Sequence, residues 1–282
     1  MAAELAARVL QPAVVVAAPA RRRSAVRLVS AVWPKLGAIA LVLVVWQVVV
    51  WSGWRPESLL PGPVPVLQRL AGSLARLDFY VGIATTLRRA LVGYALALGA
   101  GLTVAILVAR VQLLRRSVGS ILVGLQSMPS IAWFPFAVLL LQRTEGAITF
   151  VVLLGAGPAI AAGLLTGIDQ VNPLQIRVGR AMGATGLRLY RHVILPAALP
   201  GFVSGLKQGW AFAWRSLMSA ELLVAAGPSL GVQLQAARNV GDTRQLLALM
   251  IVICAIGIGI DGLLGSLERG VRTRWGLAGA EA

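Results

Sequence analysis

Six stretches of the chain are apolar over about twenty residues, and polar or basic segments separate them. They fall at roughly 33–53, 86–109, 118–141, 146–168, 200–224 and 245–266. About 20 mostly apolar residues suffice to cross a bilayer as a helix, so the pattern predicts an all-α, polytopic membrane protein of about six transmembrane helices. Pro129 and Pro135 fall inside the third stretch and Pro158 inside the fourth. A proline removes a helix hydrogen bond, so the third is expected to be a kinked helix that lines protein as well as lipid. Between the first two stretches lies Leu60-Pro61-Gly62-Pro63-Val64-Pro65, and Val66 to Leu77 is expected to form a short interfacial helix.

Residues 169–196 break the pattern. They are polar and basic, have helical spacing and end in Ile194-Leu195-Pro196. Six spans put both termini on one side of the membrane. That side carries sixteen Lys and Arg, from Arg8 through Arg274, against eight on the other. Cationic loops stay in the cytoplasm, so both termini and the 169–199 loop are expected there. An amphipathic helical loop of that length is a natural docking surface for a soluble partner.

The composition agrees. Of the 282 residues 58% are apolar and 13% charged, against about 25% charged in soluble domains. The formal net charge of +16 could suggest nucleic acid. The arginines, however, sit between apolar segments, beside anionic lipid, and no nucleic-acid partner is expected. The single cysteine, Cys254, excludes an internal disulfide, and the single histidine, His192, excludes sites that need a histidine pair. Residues 1–32, with Arg21-Arg22-Arg23, are expected to be a flexible basic cytoplasmic arm, 33–275 the membrane domain and 276–282 a tail. A cleaved signal peptide is disfavoured, because the first apolar run is long and ends in Trp51-Ser52-Gly53-Trp54 without a small-residue cleavage site.

The phosphate-binding pattern GxxxxGK[ST] does not occur. Gly257-Ile258-Gly259-Ile260-Asp261-Gly262 matches GxGxxG, but it lies within the sixth apolar stretch and reads as close helix packing. Neither HExxH nor GxSxG is present, which disfavours a membrane enzyme. The 169–199 loop contains Arg177-Val178-Gly179-Arg180-Ala181-Met182-Gly183, nine residues, then Val193-Ile194-Leu195-Pro196. This resembles the EAA loop of ABC-importer permeases, with Arg177 where that family usually has Glu and Gly179 where it usually has Ala. Leu60-Pro61-Gly62-Pro63, Gln126-Ser127-Met128-Pro129-Ser130 and Asp169-Gln170-Val171-Asn172-Pro173 resemble the sulfonate, nitrate and taurine branch, and the likeness covers roughly 33–275.

The resemblance implies a permease subunit in a bacterial inner membrane, with no cofactor of its own. ATPase subunits would dock at Arg177, Gly179, Gly183, Ile194, Leu195 and Pro196. A second permease copy and an extracytoplasmic binding protein would complete the importer. The substrate implied is a small anion such as an aliphatic sulfonate, nitrate or taurine. A pyrimidine-type substrate in the same importer class, or a stand-alone carrier or channel, is the alternative.

Four ionisable residues lie in or near the spans: Lys207, Arg215, Glu221 and Asp261. Such groups are costly at depth and face protein or a water-filled path. Lys207 can snorkel or meet a loop, and Glu221 is expected at a wet helix end or in a helix-capping role. Asp261 is expected within reach of water or an arginine. Arg215 falls mid-span beside Trp214. Either it attracts an anionic substrate, making Arg215, Trp214 and Glu221 candidate pathway residues, or it pairs with a carboxylate on a neighbouring helix, such as Glu221 or Asp261 of either subunit. Trp210, Trp214 and Phe212 read chiefly as packing anchors.

Overall fold

The computed structural model describes residues 24–275 except 111, 143 and 225; the expected tail at 276–282 and the arm up to residue 23 lie outside the described residues. The chain divides into two units, 1–56 and 57–282. In the first, one helix, α1 (Ser24–Trp51), begins within the stretch read as arm and carries Pro34 in its interior. Its segment Leu36–Trp51 is apolar with no polar face.

The second unit is helical throughout its described residues. It comprises α2 (Pro63–Leu74), α3 (Leu77–Arg110), α4 (Gln112–Ser127), a 3-10 turn (Ser130–Trp133), α5 (Phe134–Leu141) and α6 (Thr144–Asp169). Then follow α7 (Pro173–Ala181), α8 (Gly186–Leu189), a π turn (Tyr190–Ile194), α9 (Leu195–Leu223), α10 (Leu230–Asn239) and α11 (Thr243–Arg274). Pro63 opens α2, where its missing N–H costs nothing. With 34 residues, α3 is about 51 Å long at 1.5 Å per residue, well beyond a hydrocarbon core of about 30 Å.

Helix α6 is the centre of this unit, flanked by α9 and α3. Small residues set how near α9 can come. Gly163 faces Gly205 and Gly167 faces Gly201, so that a Cβ on Gly205 would stand 2.6 Å from the Gly163 Cα. Without a hydrophobic drive between helices in lipid, such close backbone packing supplies the attraction. Around it the core is filled by Ile148, Val151, Val152, Ile160, Trp210 and Leu217. Trp210 stacks on Trp214 with centroids 6.2 Å apart and meets Tyr94 edge-on, which fits the packing role read from the sequence.

Among the described residues, three helices are individually long and apolar enough to cross a membrane: Leu77–Ala109, Glu145–Asp169 and Thr243–Arg274. The third apolar stretch is not the kinked helix expected. It breaks at Met128-Pro129, and its halves, Ser117–Ser127 and Ser130–Leu141, meet at 93°. Proline disfavours helical geometry in the residue before it as well as removing a donor. By contrast, α6 runs unbroken through Pro158. Of the glycine pattern in α11, only Gly257 is in close packing, where a Cβ would lie 2.9 Å from the Trp214 indole nitrogen; at Gly259 and Gly262 a Cβ would meet nothing within 4 Å.

Candidate functional site

Residues 172–196 fold into a compact hairpin at the entrance to α9. The Asn172 side chain caps α7 by accepting the Leu174 N–H at 2.9 Å, and Pro173 occupies the first turn. The helix stops at Gly183, whose φ of 84° favours a residue without Cβ. A second left-handed glycine, Gly186 at φ 51°, opens α8. Gly179 faces inward, where a Cβ would lie 2.8 Å from Val193 Cγ2 and 3.1 Å from Leu189 Cδ1. Leu189 and Ile194 pack with Val171 and Ala198, locking the hairpin onto the start of α9. Pro196 stands in the first turn of α9, directly after the π turn.

The other face of the hairpin is exposed, with no described residue of this chain covering it. Leu174, Val178 and Met182, spaced by four along one side of α7 and its cap, are exposed. Arg177 and Arg180 are exposed among them, and neither forms an ion pair among the described residues. An apolar stripe with a basic border suits a groove on another protein.

At the opposite ends of α3, α6 and α9 lies a buried polar node. Arg89 donates to Glu221 Oε1 through Nη1 at 2.8 Å and also binds Glu145 and the Ala226 carbonyl. Glu221, 1% exposed, further accepts the Thr86 hydroxyl at 2.9 Å and the Gly231 N–H at 3.1 Å. Glu221 is therefore not at a wet end, but by accepting the Gly231 N–H it takes the helix-capping role, at the first turn of α10, and the long α3 carries Arg89 inward to meet it. Arg89 is one of the eight cations that the sequence places on the side away from the termini. The signal that could have found the node was the level shared by Arg89, Glu145 and Glu221 at that end of three predicted spans.

Asp261 is likewise engaged, with Lys207 Nζ 3.7 Å from it and 3.8 Å from Glu268. Both carboxylates suggested for Arg215 are thus held by other cations. Arg215 has no carboxylate partner among the described residues. Its Nε donates to the Ala211 carbonyl at 2.9 Å, and its guanidinium lies 4.9 Å from the Phe212 ring centroid. It borders a cavity of about 330 Å³ formed where the third stretch breaks, together with Met128, Ser130, Gly155, Phe212 and Ser216. Trp214 is buried against Trp210, so of the three candidate pathway residues Arg215 alone is brought to this cavity.

Residues 97–273 match the family model described as binding-protein-dependent transport system inner membrane component. The chain belongs to that family. The permease is 28% identical over 240 residues to the nitrate import permease protein NrtB of Synechocystis sp., covering 82% of this chain and 86% of that protein. It is 29% identical over 239 residues to the taurine transport system permease protein TauC of Escherichia coli, covering 83% and 86%. It is also 26% identical over 230 residues to the putative aliphatic sulfonates transport permease protein SsuC of Bacillus subtilis, covering 82% and 83%. Its fold is similar to a chain of the inward-facing MetNI methionine ABC transporter, with a TM-score of 0.60 and 22% identity over 69% of this chain and 96% of that one. The permease is thus a multi-pass inner-membrane subunit of an ABC importer. The 172–196 hairpin and the Arg215 cavity both lie within the matched residues.

Proposed function

We propose that this permease forms the path for a small anion such as an aliphatic sulfonate, nitrate or taurine, and that ATP is hydrolysed on a separate subunit. The observation that carries the anion is Arg215: a cation at mid-helix, bordering a cavity and balanced by no carboxylate among the described residues. Such a charge is costly at depth and attracts anions while repelling cations. The names of the nitrate, taurine and sulfonate relatives support the same class.

The ATPase docks on the Leu174, Val178 and Met182 face, bordered by Arg177. A pair of permeases, one chain with a second copy, encloses the path, and an extracytoplasmic binding protein delivers substrate. The membrane domain spans 33–275 and crosses lipid six times, with α1, the bent α4–α5 pair and α9 completing the three long apolar helices. Both termini face the cytoplasm. Closure of the ATPases would drive the two hairpins together, and the Ile194–Ala198 packing would pass that movement to α9.

The test is a mild-detergent pull-down of the tagged chain with stoichiometry of its partners. A nucleotide-binding subunit at about one per permease is expected, lost when residues 177–196 become a Gly/Ser linker. Isolation of the chain alone, with transport in ATP-free vesicles, would overturn the reading.

A further inference from the structure

The cavity at the helix break contains more than a cation, and its lining narrows the class of anion. Ser130 and Ser216 face each other across it with oxygens 2.6 Å apart. Two hydroxyls that share one hydrogen bond spend one proton on each other, so the second O–H is available to a ligand. Gly155 makes this arrangement possible: a Cβ there would overlap the Ser216 hydroxyl and stand 3.3 Å from the Ser130 oxygen. On the cation, only the Nε hydrogen is committed among the described residues, to the Ala211 carbonyl. The planar fork of Nη groups is left to donate to two oxygens side by side.

The rest of the lining is mixed: Leu125, Met128, Pro129, Ile131 and Phe212 supply apolar surface, and Gln126, Ser127 and Ser219 add uncharged polar groups. Among the described residues, no Asp or Glu borders the cavity. The volume of about 330 Å³ corresponds to roughly ten waters at ~30 Å³ each, more than a bare three-oxygen anion occupies.

Resting on the anion-pathway reading above, we propose that this cavity is a transient seat for an organic oxyanion. Arg215 and the Ser130–Ser216 pair hold its oxygens, and Met128, Ile131 and Phe212 cover a short uncharged tail. An ammonium group on that tail would enter the cavity with no counter-charge and beside a guanidinium. The seat therefore favours an unaminated organic anion over both an inorganic anion and a zwitterion.

The test uses the full chain with its co-purified ATPase subunits in lipid nanodiscs and compares three probes by calorimetry: ethanesulfonate, 2-aminoethanesulfonate and nitrate. Ethanesulfonate is expected to bind at least about tenfold more tightly than either, because only it satisfies head and tail together. Arg215→Gln should abolish that binding, and Ser216→Ala should weaken it about tenfold while Arg215→Lys retains part of it. Phe212→Ala should bring ethanesulfonate toward nitrate. Elution volume and ATP hydrolysis of each complex separate lost binding from lost folding. Equal affinity for the three probes, or ethanesulfonate binding indifferent to Arg215→Gln in a folded complex, overturns the seat. ATP-driven uptake of any anion would still stand in that case, whereas failure of the ATPase to co-purify would remove the importer reading itself.

Discussion

Arg89 and Glu221 meet at 2.8 Å in a site from which both side chains are almost wholly shielded, although 132 residues separate them in the chain. The pair ties α3 to α9, and its further bonds to Glu145 and to the Gly231 N–H bring in α6 and α10. Buried ion pairs are poor evidence of net stabilisation, but breaking one leaves an uncompensated charge. Arg89→Ala should therefore cost about 3–5 kcal/mol. Replacing both partners by apolar residues of similar volume should cost much less. Thermal unfolding of the detergent-purified single and double variants checks this, and equal losses for the two would refute it.

The contact between α6 and α9 depends on four glycines at backbone distance. Gly205→Val would push a branched side chain onto the Gly163 backbone. Overpacking of this kind costs about 1–3 kcal/mol. Gly259→Val, on an open face of α11, should be nearly neutral in the same unfolding assay.

Gly179 has a local reason to be glycine in this hairpin. A methyl group there would press on Val193 and Leu189, so Gly179→Ala should shift α7 and weaken ATPase co-purification several-fold. The compensating pair Gly179→Ala with Val193→Ala should recover much of it. Met182→Glu, on the exposed face, should abolish co-purification without loss of thermal stability.

Asp242 caps α11 by accepting the Gln245 N–H at 3.0 Å and pairs with Arg69 at 2.7 Å. Partial burial pushes its carboxyl up, but the Gln245 N–H and the Arg69 guanidinium outweigh burial and hold it below the usual 3.8. A depressed folded value means that the stabilisation is full above about pH 4 and is lost as pH falls through the folded value. Asp242→Asn should flatten the acid limb of the stability–pH curve below about pH 4. An unchanged acid limb would show that Asp242 contributes nothing there.

The helices and the hairpin were legible in the sequence because lipid makes both local properties: a run of apolar residues, or a glycine and a proline at fixed spacing, has its meaning without a distant partner. The apolar runs, the helix-breaking Met128-Pro129, Gly183 and Ile194-Leu195-Pro196 were all of this kind, and together with the basic loops they determined the class of protein. Charges were different. The sequence gives their depth along each helix but not their rotation about it, and rotation decides which side chains face each other. Only the tertiary structure could therefore give Glu221 to Arg89 and Asp261 to Lys207, leaving Arg215 unbalanced beside a cavity. The cavity was equally hidden, since its walls come from two sides of a broken helix and from α6 and α9, brought together by glycines that allow backbones to touch.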